Sequence, residues 1–382
     1  MLIGIATPMD VLEKPLRDNL QIALIVISVA MLLAVPVLLV YARRFARPIH
    51  SLRTTIDSTL ELDFSAHSKS SSSIIEIQGL IDRFRTVRGA FRDICRFVPE
   101  AHVRRIISTG SAHVFGERRE VSLLMTDVTD FTTISEQLEP ERLLKDMTAY
   151  FTAMTQEILA RGGTVDKYVG DAIFSFWNGM GDQPQHPEAC CRAGLRVLRA
   201  SKALEAAWSA QNKWPWKTRV GLHCAEAVVG NIGSEQRIDF TVIGAAVNLS
   251  SRIEGLNKFY GTDILATDQM RQRSGNNFLF RVIDVVMPKG TLDVTTIHEL
   301  MGCLDEPELR PSAADIDFVA AWDRAYAMYR QRDWAEALKA FEQLAALRPH
   351  DAPAQLYVAR CKNLAANPPG IQWDFVERFN SK

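Results

Sequence analysis

Residues Ile22 to Ala42 carry no charge and form a 21-residue apolar run. As a helix rising 1.5 Å per residue, such a run crosses about 30 Å of hydrocarbon. Arg43, Arg44 and Arg47 follow at once, which sets the C-terminal side on the inner face of the membrane. The apolar core of a signal peptide is shorter and lies nearer the N-terminus. A helix buried in a soluble core seldom runs this far without polar punctuation. The expectation is a single membrane-spanning helix over residues 20–42 in the cell inner (plasma) membrane, in contact with lipid, with the chain that follows it cytoplasmic. Pro36 is tolerated in such a helix. Six cysteines, at 95, 190, 191, 224, 303 and 361, form no CxxC pair, which suits a reducing compartment rather than disulfides or zinc. A formal net charge of −1 gives no footing for a nucleic-acid partner.

Residues 1–19 are too few to bury a core. Leu2 to Ala6 reads as a strand and Pro8 to Asn19 as a short helix leading into the span. The segment resembles the end of an extracellular Cache-type sensory domain. It is expected to be an extracytoplasmic sensor remnant, left by a truncated chain or a misplaced start. Past the membrane, Ile49, Leu52, Ile56 and Leu60 recur at helical spacing just after Pro48, which marks an amphipathic helix beginning at a proline. Ser65 to Ser73 is a serine-rich connector. Leu80, Phe84, Val87, Phe91, Ile94 and Val98 then step by 4, 3, 4, 3, 4, a heptad that favours a supercoil with another helix. Two short helices and a connector directly after a membrane helix, with Glu76 early in the second, resemble a HAMP linker, here residues 43–96. A parallel homodimer is implied.

From Val121 the pattern changes to strands alternating with helices. Val121–Asp127, Thr164–Tyr168, Ala172–Asn178, Thr218–Cys224, Ala227–Asn231, Asp239–Gly244, Phe278–Val286 and Thr295–Leu300 read as strands. Helices are read from Pro140 to Gly162, from Pro187 to Gln211 and from Ala246 to Phe259. The order β-α-β-β-α-β places this region in the α+β class, as a ferredoxin-like sandwich with its helices on one face. Residues 304–382 open with a linker containing proline and glutamate. They continue as TPR-like helices from Phe318 to Ala366, too few repeats to stand alone, and so expected to dock on the preceding domain. They are also a candidate surface for a protein partner.

The chemistry gathers in three places. Asp127 ends an apolar strand, and the amides of Val128 to Thr132 precede a helix, ground that favours phosphate. Asp130 is read as a local cap of that turn. Asp171 follows the Val169-Gly170 turn of a hairpin, beside a strand that is apolar throughout. Two carboxylates bordering neighbouring strands can share hard cations. Asn248 and Arg252 lie four apart in one helix and therefore share a face.

The runs Thr126-Asp-Val-Thr-Asp-Phe-Thr132, Lys167-Tyr-Val-Gly-Asp171 and Phe240-Thr-Val-Ile-Gly-Ala-Ala-Val-Asn-Leu-Ser-Ser-Arg252 together resemble the class III nucleotidyl cyclase catalytic domain, over residues 97–303. The resemblance implies an adenylate cyclase making 3′,5′-cyclic AMP and pyrophosphate from ATP. It implies two Mg2+ or Mn2+ ions per active site, held by Asp127, Asp171 and the Val128 carbonyl. Asn248 would orient the ribose, and Arg252 would stabilise charge developing on the α-phosphate. Lys167 and Thr241 would read the base, with Phe131 and Thr132 also near substrate. Thr241 departs from the Asp of many adenylate cyclases and resembles the subclass that uses Thr. The resemblance also implies that each site is shared across a homodimer, with Lys167 and Asp171 of one chain serving different sites. A guanylate or dual-specificity cyclase, or a nucleotide-binding scaffold without turnover, is the alternative.

Overall fold

A computed structural model describes residues 9–65, 71–110, 115–234, 236–291, 293–370 and 372–379. The chain divides into two compact units at residue 110. The strand expected at Leu2–Ala6 lies outside the described residues.

In the first unit, helix α1 (Met9–Leu60) is continuous over 52 residues. It merges the membrane run with the helix expected after Pro48. Among the described residues it is the one helix long and apolar enough to cross a membrane. Helices α2 (Ile75–Ile94) and α3 (Glu100–Thr109) follow. The end of α1 packs on α2 through Leu52 and Ile81, both buried. Ser71–Ser73 share a cleft with Arg47 and Pro48, while Phe64 meets Phe91 edge-on with ring centroids 6.1 Å apart. The chain leaving α1 has therefore run back along it, and α1 and α2 lie parallel. The heptad splits into two rows. Phe84 and Phe91 are half-buried, whereas Leu80, Val87 and Ile94 face outward.

The second unit runs β1 (Phe115–Val128), α4 (Phe131–Gln137), α5 (Pro140–Ala160), β2 (Thr164–Val169), β3 (Ala172–Trp177), α6 (His186–Ser209) and β4 (Thr218–Gly233). It continues with β5 (Ile238–Ile243), α7 (Ala245–Tyr260), β6 (Ile264–Thr267), α8 (Asp268–Arg273), β7 (Phe278–Met287) and β8 (Thr295–Cys303). Last come α9 (Ala313–Arg330), α10 (Trp334–Leu347), α11 (Ala352–Ala366) and β9 (Val376–Arg378). The sheet order is β2-β3-β1-β4-β6-β8-β7-β9, with β5 also paired to β4. Its first four strands are antiparallel in the ferredoxin-like order. The two strands expected within residues 218–231 are one, and β1 begins six residues before the apolar run because its polar start still pairs with β4.

Period-2 alternation divides the core into two. Leu124, Val128, Leu222 and Cys224 pack with Tyr150, Met154 and Ile158 of α5 and Val197 of α6. Val121, Leu123, Phe176 and Val229 form a second cluster on the opposite face. The expectation of helices on one face holds for α5 and α6 but not for α7. Helix α7 crosses to the other face, burying Ile253, Leu256 and Tyr260 against Leu265, Ile283 and Ile297. Gly221 permits this, since a Cβ there would stand 2.4 Å from the backbone nitrogen of Glu254.

The C-terminal helices dock as expected. Trp322 Nε1 donates to the Val282 carbonyl at 2.6 Å and the Tyr357 hydroxyl to the Ile283 carbonyl at 2.8 Å. Strand β9 adds to β7 in parallel. The buried Asp284 accepts from Tyr260 at the end of α7 and from Arg360 of α11, at 2.7 and 2.6 Å. Helix α11 thus braces the far end of the helix that carries Asn248 and Arg252.

Candidate active site

Antiparallel register places Asp127 of β1 directly opposite Arg219 of β4. Arg219 Nη2 donates to Asp127 Oδ2 at 2.5 Å, and its Nε lies 3.2 Å from Glu254 Oε1 of α7. Between β2 and β3 the chain turns at Gly170, whose φ of +65° suits glycine. That turn aims Asp171 at the end of β1, where the Val128 N–H donates to Asp171 Oδ2 at 2.8 Å. The Ile173 N–H donates to Thr126 Oγ1 at 3.1 Å and ties the same two strands together.

These groups perturb one another. Burial, with the charge of Asp127 adding to it, pushes the Asp171 carboxyl up to about 6, against the Val128 N–H, which favours the ionised form. Burial pushes Glu254 up to about 8, with Asp127 contributing and Arg219 opposing. Crowded carboxylates whose charges oppose one another are a donor set of hard oxygens, suited to a divalent cation such as Mg2+ or Mn2+.

A second group lies on β2 and β5. The β2–β3 register slips between Val165 and Lys167, so Asp166 sits in a bulge. Its buried carboxylate accepts from the Thr241 hydroxyl and lies 3.4 Å from Lys167 Nζ. Lys167 and Thr241, 74 positions apart in the sequence, are thereby brought to one carboxylate. A third group lies on α7. Asn248 is exposed, and the half-buried Arg252 donates to the Lys289 carbonyl and rests beside Gly290. No hydrogen bond or ion pair among the described residues joins these three groups.

Other expected site residues stand differently. The Phe131 ring meets Trp216 edge-on at 5.5 Å and packs on the main core, so it serves packing. Thr132 is exposed. Asp130 occupies the N-cap of α4 at φ 56°, but its side chain makes no capping bond. Residue-type reasoning missed Arg219 and Glu254. An arginine at a strand start and an acid within an amphipathic helix are common, and only register brings them to Asp127. A further cluster of Glu120, His186 and Cys224 has its ligand-type atoms within 4.8 Å of one another. Arg273 pairs with Glu120 at 2.9 Å, Ser122 bonds His186 at 2.8 Å, and burial keeps the Cys224 thiol protonated, pushed up to about 11. It is a satisfied polar network.

Residues 114–291 match the model of the adenylate and guanylate cyclase catalytic domain. The chain is 32% identical over 303 residues to adenylate cyclase 1 of Rhizobium meliloti, covering 78% of this chain and 45% of that protein. It is 32% identical over 212 residues to the adenylate cyclase of Anabaena cylindrica, covering 54% of this chain and 42% of that protein. The chain spans less than half the length of both relatives. A bacterial light-regulated adenylyl cyclase structure is alike in fold, with a TM-score of 0.53 at 24% identity, over 60% of this chain and 66% of that one.

Proposed function

Because residues 114–291 belong to the adenylate and guanylate cyclase catalytic domain family, we propose that this chain is a membrane-bound adenylate cyclase converting ATP to 3′,5′-cyclic AMP and pyrophosphate. The observation that carries the reading is the convergence of Asp127 and Asp171 on the end of one strand, held by the Val128 N–H and Arg219. In the reaction the ribose 3′-oxygen gives up its proton and bonds to the α-phosphorus. The bond from that phosphorus to the bridging oxygen of the β-phosphate breaks, and pyrophosphate leaves.

Asp127, Asp171 and the Val128 carbonyl would hold the divalent ions. When bound, such ions polarise the α-phosphate, favour the 3′-oxyanion and neutralise the leaving pyrophosphate. The chain's own groups do the rest. Arg219 holds Asp127 in place through its guanidinium. Asn248, exposed on α7, orients the ribose. Arg252, one turn on, offers a guanidinium whose partner in the structure is a neutral carbonyl, so its charge stays available to the α-phosphate as negative charge grows there. Lys167 and Thr241 read the base. Lysine only donates, which fits the ring nitrogens of adenine, whereas guanine presents an N–H at that edge. Changing Lys167→Glu together with Thr241→Cys should shift preference toward GTP, read as the ratio of kcat/KM for the two nucleotides. An unchanged ratio would place base reading elsewhere.

Metal binding should follow pH with a defined sign. Between the ordinary carboxylate range and about 6, the folded chain keeps a proton on Asp171 that the unfolded chain has released. The contribution of this group to metal-free stability therefore falls as pH rises through that window. A divalent ion takes the place of the proton, so the rise in Tm produced by Mn2+ should grow from pH 5 to pH 7.5, measured against EDTA at each pH. A Mn2+ effect that is flat or shrinks with pH would contradict this assignment.

Residues 20–42 would cross the membrane, with 43–96 as a HAMP linker transmitting a signal to the catalytic domain 97–303. The parallel packing of α1 and α2 supports the linker reading. The outward row of Leu80, Val87 and Ile94 supports a homodimer built through it.

A further inference from the structure

Asp166 is the least exposed charged side chain of the base-reading group, and it touches both residues assigned to the base. Its side chain is 2% exposed. It accepts from the Thr241 hydroxyl, takes a hydrogen bond from the Val242 backbone and lies 3.4 Å from Lys167 Nζ. On a regular strand Asp166 and Lys167 would point to opposite faces. The bulge at this point breaks the alternation and lets Asp166 reach Thr241 while staying beside Lys167 Nζ.

We propose that Asp166 sets which base the site accepts, by fixing the Thr241 hydroxyl as an acceptor. This rests on the reading that Lys167 and Thr241 contact the base. A threonine hydroxyl alone discriminates poorly, because it rotates to donate or accept. An ionised carboxylate only accepts, so bonding to Asp166 consumes the one Thr241 proton. What Thr241 then presents to a ligand is lone pairs. The 6-amino group of adenine is a donor and pairs with them. The 6-oxo group of guanine is an acceptor and faces them without a proton between. The Lys167 ammonium, engaged by Asp166 through one of its three protons, keeps the others for a ring nitrogen. A buried carboxylate thus converts an ambivalent residue into an adenine-selective one, and Asp166 acts as a positioning residue.

The test compares kcat/KM for ATP and GTP, with Mn2+, in the full chain and in Asp166→Asn, Asp166→Ser and Thr241→Val. Asparagine can donate to the Thr241 oxygen and reverse its polarity. Serine releases the hydroxyl without overfilling the site, and reads the same quantity if the asparagine variant does not fold. Both Asp166 variants should lower the ATP-to-GTP ratio by about tenfold or more, from loss of one oriented polar contact and its mismatch. An equal loss with both nucleotides would show a structural role only and overturn the proposal. An unchanged ratio in the Asp166 variants, with a lowered ratio in Thr241→Val, would overturn the proposal while leaving base reading by Thr241 intact. An unchanged ratio in Thr241→Val as well would overturn both.

Discussion

Asp171→Ala should lower ATP turnover by the full chain by about a thousandfold or more, the scale of losing around 4 kcal/mol of transition-state stabilisation from a metal site. From the hairpin turn Asp171 reaches the end of β1, and the Val128 N–H fixes it there. The alanine variant also leaves that buried N–H without its acceptor, which costs stability on the order of 1–3 kcal/mol. Asp171→Asn separates the two effects. Its amide oxygen still accepts from Val128, but it brings no charge to a cation. The asparagine variant should therefore melt close to the wild type and turn over ATP almost as poorly as the alanine variant. Activity within tenfold of wild type in a folded Asp171→Asn chain would remove this residue from the chemistry.

Coexpressing Asp127→Ala and Arg252→Ala chains should restore activity that neither chain has alone. The contacts of Asp127 and Asp171 form one group, those of Lys167 and Thr241 another, and Asn248 with Arg252 a third, with no hydrogen bond or ion pair among the described residues joining them. On the proposed shared-site reading, a nucleotide served by all three groups meets them across two chains. In the mixed dimer one site takes its carboxylates from the Arg252→Ala chain and its arginine from the Asp127→Ala chain, and is complete. The other site lacks both. Random pairing of equal amounts makes half the dimers mixed, so activity should recover to about a quarter of wild type in a two-fold symmetric assembly. Mixed dimers that are demonstrably formed yet inactive would contradict the shared geometry.

Some of this was legible from the residues. Asp127, Asp171, Asn248 and Arg252 stand at strand ends and on one helix face, positions that periodicity and turn chemistry can locate. The strand order of the ferredoxin-like core followed from the order of elements. What escaped depends on register and on long-range pairing. Arg219 lies opposite Asp127 only because β1 and β4 pair without a slip over fourteen residues. Glu254 reaches Arg219 only because Gly221 lets α7 approach the sheet, on the face not expected to carry a helix. Asp166 stands one place before the Lys167–Asp171 run, but a one-residue bulge decides where it points. Phe131 lies beside the motif, and its ring is taken up by the core.

Cyclase activity is read by presenting the full chain, in detergent or bilayer, with Mn2+ and either ATP or GTP, and following cyclic nucleotide and pyrophosphate together. The expected result is cyclic AMP and pyrophosphate in equal amounts, ATP strongly preferred over GTP, and loss of both products in Asp171→Asn. No cyclic AMP from the folded wild-type chain, or a yield unchanged in Asp171→Asn, would contradict it.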